Sequence, residues 1–166
     1  MAISTVSILQ VFSLMSCETY NCILDTSVNC VYGFYASGRT AGGDFVAGSS
    51  INVADTMTIS ILGDSIVLAN KIVGQNGVSV PMSYYGDTDS LLLSITGEDG
   101  TGYDTIYVSK DNIIHLEDPS CPAHVWHTIT NVNSTHHLID TLLIKDVNIN
   151  YDGLENLQIY FRVAEE

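Results

Sequence analysis

Basic residues are almost missing from this chain. Five Lys and Arg stand against nineteen Asp and Glu over 166 residues, for a net charge of −14. That balance repels phosphate backbones and excludes nucleic acid as a partner. It equally excludes docking on anionic lipid by charge alone, so any membrane attachment has to come from a lipid group. Catalytic signatures are absent as well. There is no Gly-x-Ser-x-Gly elbow, no His-Glu-x-x-His and no Gly-x-x-x-x-Gly-Lys. No Cys-x-x-Cys pair is present, which argues against structural zinc. No convincing amphipathic helix of ten or more residues follows residue 17, and neither a repeat nor a second domain is visible. The expectation is a protein that is not an enzyme and carries no cofactor and no metal.

What is present begins with Met1 to Cys17. Ile3 to Met15 is mostly apolar and uncharged, too short for the about 20 residues that a spanning helix needs. It ends in Leu14-Met15-Ser16-Cys17, a leucine and a small residue before a cysteine. That is the form of a lipoprotein signal peptide, cleaved ahead of a cysteine that then carries the lipid. The reading divides the chain into a signal peptide at 1–16, a tether at 17–27 and one domain at 28–166. It makes Cys17 the lipidation site and places the protein in a bacterial cell envelope, held to a membrane by its acyl chains, periplasmic or surface-exposed. The signal lacks one usual part, since Met1 to Ser16 carries no Lys or Arg.

Cys22, Cys30 and Cys121 remain. An oxidising compartment favours pairing, and three cysteines allow one disulfide and one free thiol. A bridge from Cys22 or Cys30 to Cys121 would close a loop of about 90 to 100 residues, for which the chain-entropy model assigns roughly 4 to 5 kcal/mol. Cys30 falls in an apolar strand pattern and suits a buried thiol, so Cys22–Cys121 is the preferred pair, with Cys30 as the alternative.

Beyond the tether the hydrophobic period is two. Val28, Cys30, Tyr32 and Phe34 share one face. Met57, Ile59 and Ile61 alternate with Thr56, Thr58 and Ser60, the pattern of a half-buried strand. Val78, Val80 and Met82 do the same around Pro81, which cannot donate to a ladder and so marks an edge strand. Leu91, Leu93 and Ile95 form another face. Further runs are Ile66 to Ala69, Thr105 to Val108, Ile113 to Leu116, Val125 to Val132, Thr141 to Ile144 and Leu157 to Phe161. Turn signals separate them at Gly63-Asp64, Asn76-Gly77, Gly86-Asp87, Asp99-Gly100 and Asp152-Gly153. The spacing predicts an all-β fold, an antiparallel β-sandwich, immunoglobulin-like or similar. The glycine-rich segment Ala36 to Ser50 reads as a loop or crossover ahead of the sheet.

Candidate chemistry is sparse. His124 and His127 would point to opposite faces of one strand and cannot easily share a metal; the adjacent His136 and His137 have the same difficulty. Glu98, Asp99 and Asp104 surround a Gly-rich turn, with Asp87 and Asp89 about another, but the calcium-loop spacing is missing. Tyr84-Tyr85 and the segment Tyr32 to Tyr35 are the aromatic patches that could stack on sugar rings.

The last third is more specific. It contains Cys121-Pro122, His127-Thr128-Ile129-Thr130, Asn131-Val132, Thr135, Ile139-Asp140-Thr141, Leu142-Leu143-Ile144 and Glu155-Asn156-Leu157-Gln158-Ile159-Tyr160-Phe161. This resembles a group of small lipoproteins of Bacteroidota classed only as a domain of unknown function. Ser16-Cys17, an early cysteine, Phe34-Tyr35 and Asp89-Ser90-Leu91-Leu92 are similar too. The resemblance implies a Gram-negative envelope lipoprotein and offers no functional residues. Together these readings point to a structural or binding module whose protein or glycan partner is open. The alternatives are a surface-fibre or adhesin subunit assembled by strand exchange, and a carbohydrate-binding module.

Overall fold

The computed structural model describes Cys22 and residues 27–162. The signal-peptide reading of 1–16, the lipidation site Cys17 and most of the tether lie outside these residues.

Eleven strands form two packed sheets, and no helix occurs among the described residues. They are β1 Asn29–Arg39, β2 Phe45–Ser50, β3 Thr56–Ile61, β4 Val67–Ile72, β5 Gly77–Pro81, β6 Thr88–Gly97, β7 Gly100–His115, β8 His124–Ser134, β9 Ile139–Ile144, β10 Asn148–Ile149 and β11 Leu157–Phe161. One sheet runs β2-β1-β11-β9, with β5 also on β1; the other runs β10-β8-β7-β6-β3-β4. The fold is an all-β sandwich, as the period-two runs predict.

Three details depart from the sequence reading. Ala36 to Ser50 is not a loop: Ala36 to Arg39 extends β1, and β2 pairs back onto it. Its glycines serve that pairing, since a Cβ on Gly48 would run into the Ala36 carbonyl oxygen. Second, the sheets are not wholly antiparallel, because β1 and β11 run parallel, with Tyr32 opposite Leu157 and Ala36 opposite Phe161. Period two fixes faces, not directions, and the intervening chain supplies the crossover that a parallel pair requires. Third, Thr105 to Val108 and Ile113 to Leu116 are not separate strands; β7 runs from Gly100 to His115 and takes in both but for Leu116.

The turn residues mostly do what their chemistry allows. Gly63, Gly86, Gly100 and Gly153 all adopt positive φ, a region open to glycine because it has no Cβ. Asn76-Gly77 differs: the positive φ falls at Gly74, and Gly77 opens β5. Pro81 is the last residue of β5, which pairs only with β1, so the missing N–H is tolerated at an edge.

The core between the sheets is built from Tyr32, Phe34, Met57, Ile59, Leu93, Ile106, Ile139 and Ile159, all fully enclosed. Phe34 meets Phe161 edge to face at 5.9 Å between ring centroids. Cys22 and Cys121 form a disulfide with their Cα atoms 5.4 Å apart, and Cys30 is a buried free thiol. Burial pushes that thiol up to about 12, helped by the nearby Asp89 carboxylate and opposed by the Tyr32 hydroxyl. Cys30 is therefore uncharged and unreactive at neutral pH.

Candidate functional site

Strand β7 carries two charged residues on its inward face. Asp104, Ile106, Val108 and Lys110 are in phase at period two, and all four are buried. Each charge is matched to one end of the sandwich.

Lys110 lies at the end where the chain enters β1. Its ammonium donates to the Ser83 carbonyl at 2.9 Å, the Asn112 side-chain oxygen at 3.0 Å and the Gly86 carbonyl at 3.3 Å. Asp89 lies 3.7 Å away and accepts hydrogen bonds from the Ser83 backbone and hydroxyl. Burial lowers the Lys110 pKa, and the Asp89 and Asp87 carboxylates oppose that shift. The Asn112 amide donates to the Gly86 carbonyl at 2.7 Å, and its oxygen also contacts His127 Nδ1 at 2.7 Å. Desolvation, then the Lys110 charge, holds the His127 imidazole down at about 4, so it is neutral at pH 7. Next to this network is a cleft of about 410 Å³ between the sheets, walled by Leu62, Leu68, Pro81 and Met82, with Ser83 and Asp89 on its polar side.

The network makes an asymmetric expectation. Asp89→Ala leaves an ammonium buried without its counter-charge, and should cost about 3–5 kcal/mol in equilibrium unfolding. Asp89→Asn combined with Lys110→Met removes both charges together, keeps an acceptor for Ser83 and should cost far less. Equal losses in the two variants would show that the pair is not what holds this end together.

Asp104 lies towards the opposite end, where it organises the β8–β9 connection. One carboxylate oxygen accepts from the backbone of His137, Leu138 and Ile139, each at 2.9 Å. The other accepts from the backbone of Thr105 and Thr135 at 2.8 and 3.0 Å, and from the Thr135 hydroxyl. Burial pushes this carboxyl up, but the donors from Thr135, Ile139, Leu138 and Thr105 outweigh it and leave the pKa below the usual aspartate value. Asp104 therefore leaves the acidic turn in which the sequence grouped it: Glu98 and Asp99 are the two residues between the paired Gly97 and Gly100, while Asp104 is buried within β7.

The histidines are hydrogen-bonded rather than clustered. His124 Nδ1 meets the Tyr151 hydroxyl at 2.5 Å, while His127 turns to Asn112. His136 and His137 fall in the connection that Asp104 holds, where His136 takes a positive φ of 57°. No group of three or more potential metal ligands occurs among the described residues. The aromatic patches do not make an open stacking row either. Tyr32 is core, and Tyr35 stacks on Tyr160 at 5.2 Å with its hydroxyl donated to Glu155. Tyr85 is exposed.

The sequence reading missed Lys110, Asp89 and Asp104 as a buried polar framework. Their signal was the phase of β7, in which two charged residues bracket Ile106 and Val108.

The profile of a family of unknown function, DUF6452, matches residues 56–161. That span covers most of the chain, from β3 through β11. The chain belongs to DUF6452. Within this DUF6452 member, the matched span contains Asp89, Asp104, Lys110 and Cys121 but not Cys22 or β1. No curated protein and no solved structure matches the chain.

Four of the five basic residues form ion pairs within the chain: Arg39 and Arg162 with Asp140, Lys110 with Asp89, and Lys145 with Glu155, and of the four only Lys110 is enclosed. That arrangement leaves no concentrated basic patch among the described residues, and the acidic excess faces outward.

Proposed function

We propose that this DUF6452 member is a cell-envelope lipoprotein, a non-enzymatic structural or binding β-module held to a membrane by acyl chains on Cys17. The observation that supports it most is the Cys22–Cys121 disulfide. A bridge of that kind persists in oxidising compartments, and it sits five residues after the cysteine of Leu14-Met15-Ser16-Cys17. The sequence resemblance to small Bacteroidota lipoproteins supports the same reading. The two alternatives have less behind them. Strand exchange needs an open groove or a detachable strand, and β11 is buried between β1 and β9. A carbohydrate-binding module needs exposed ring faces in a row, and Tyr35 and Tyr160 cover one another.

The test is Cys17→Ser, made with its own N-terminus in a Gram-negative host. Each buried CH₂ of an acyl chain contributes about 0.8 kcal/mol to membrane partitioning. Wild type should take up a fatty-acid probe and fractionate with membranes. The variant should take up none and become soluble, or remain uncleaved and tethered by Met1 to Ser16. Its folded domain should keep the same thermal midpoint, because Cys17 precedes β1. Wild type without probe would remove the reading.

A further inference from the structure

The disulfide changes what the tether can do. Counted along the chain, Cys17 is eleven residues from Val28, the first core residue among the described residues. Eleven extended residues reach about 40 Å, enough to leave the domain free to tumble. The Cys22–Cys121 bridge removes that freedom. Cys22 is only five positions after Cys17, so a lipid on Cys17 is held within about 18 Å of the bridge.

Cys121 belongs to the tip that connects β7 and β8, whose strands run on beyond the start of β6. Strand β6 begins at Thr88, opposite Ser109, and β7 continues to His115, paired only with β8. On this tip Ile113, Ile114 and Leu116 are 51%, 74% and 60% exposed. The same end of the fold carries exposed Leu62 and Ile66 at the β3–β4 turn and Tyr85 before β6. Here β1 enters, with Met82 donating to the Val28 carbonyl at 3.0 Å. The opposite end, around the Asp104 connection and the Glu98-Asp99 turn, presents no comparable group of exposed aliphatic side chains among the described residues.

We propose that the β7–β8 tip, through Ile113, Ile114 and Leu116, seats in the interface of the bilayer that holds the Cys17 lipid. The proposal rests on the lipoprotein reading above. The short stapled tether brings the tip to the surface, and the apolar side chains enter the headgroup–acyl boundary. The bilayer is zwitterionic and rich in ammonium headgroups. Asp111 and Glu117 flank the tip, and an anionic leaflet would repel them together with the net charge of −14. The acyl chains supply affinity; the tip supplies orientation, standing the sandwich on its β1 end.

The experiment uses the full chain with its native N-terminus, produced in a Gram-negative host, in which fatty-acid labelling is scored separately. A benzophenone amino acid replaces Ile114, and whole cells are irradiated. The expected adduct has the mass of a phospholipid. Purified wild type is then placed in phosphatidylethanolamine–phosphatidylcholine vesicles with brominated acyl chains. Trp126 is the chain's one tryptophan and pairs across the ladder with Ile113, so its fluorescence should be quenched. Ile113→Asp with Ile114→Asp should cut that quenching several-fold while labelling persists, and the milder Ile114→Ser should cut it in part with no change in thermal midpoint. Labelled protein that is unquenched, quenching indifferent to both variants, or an adduct to a discrete protein or a second copy would overturn the seating alone. Absence of label in wild type would overturn the lipoprotein reading beneath it.

Discussion

Asp104→Ala should lower the stability of the domain by about 2–6 kcal/mol. The variant strips the acceptor from the backbone N–H groups of His137, Leu138 and Ile139, which share one carboxylate oxygen. A buried donor left without an acceptor costs about 1–3 kcal/mol; His137 is exposed and water can replace its acceptor, so Leu138 and Ile139 carry the sum. Thr105 and Thr135 keep other acceptors, the Thr135 hydroxyl and the Thr105 carbonyl, so they are left out of the sum. At about 3 °C per kcal/mol for a domain of this size, the thermal midpoint should fall by roughly 6 to 18 °C. Asp104→Asn keeps the shape but turns an amide NH₂ towards one set of donors, and should be nearly as damaging.

The same residue sets an acid limb. Its carboxyl titrates below the usual aspartate value of 3.8 in the folded state. The unfolded chain therefore takes up this proton first as pH falls. The contribution is fully present above about pH 4 and is lost as pH drops through the folded value. Urea midpoints measured from pH 6 down to pH 2 should fall in wild type and flatten in Asp104→Asn over that lowest range. Parallel curves would mean that the carboxylate is not the group holding the β8–β9 connection.

Reduction of Cys22–Cys121 should be the other large loss. The cysteines are 99 residues apart, and the chain-entropy model gives about 4.7 kcal/mol for a loop of that size. Cys22→Ser, Cys121→Ser and the double variant should lose the same amount, since one bond is removed in each. Reductant should shift wild type towards the variants and leave the variants where they are. Cys30→Ala should respond to reductant as wild type does. A wild-type midpoint unchanged by reductant would show that the bridge contributes nothing.

Much of the sandwich was legible because burial on one face writes a period of two. Thr56 to Ile61 alternates with its inward Met57 and Ile59 fully enclosed, and Asp99-Gly100 closes a hairpin as its residues suggest. Where composition masks the pattern, reading failed. Glycines hid β2, because their value there is close backbone approach rather than apolar surface. The Gly100 to Asp104 run looked like turn chemistry, so Asp104 was counted as a surface acid although it is in phase with Ile106 and Val108. The disulfide was legible from the cysteine count and the expectation of an oxidising compartment. The partners of His124 and His127 were not: Tyr151 is 27 positions from the first and Asn112 is 15 from the second, and no local pattern connects them.

The parallel pairing of β1 with β11 bears on when this chain can fold at all. The middle of the five-stranded sheet is filled by Leu157 to Phe161, the last of the described strands to leave a ribosome, while its neighbour β1 is the first of them. Until those residues arrive, β1 and β9 have no strand between them and the apolar face of Phe34 has no Phe161 to meet. Loop closure on that scale makes folding slow and late. The six-stranded sheet pairs antiparallel throughout and can form as it is made, but the sandwich closes over its core only when β11 arrives.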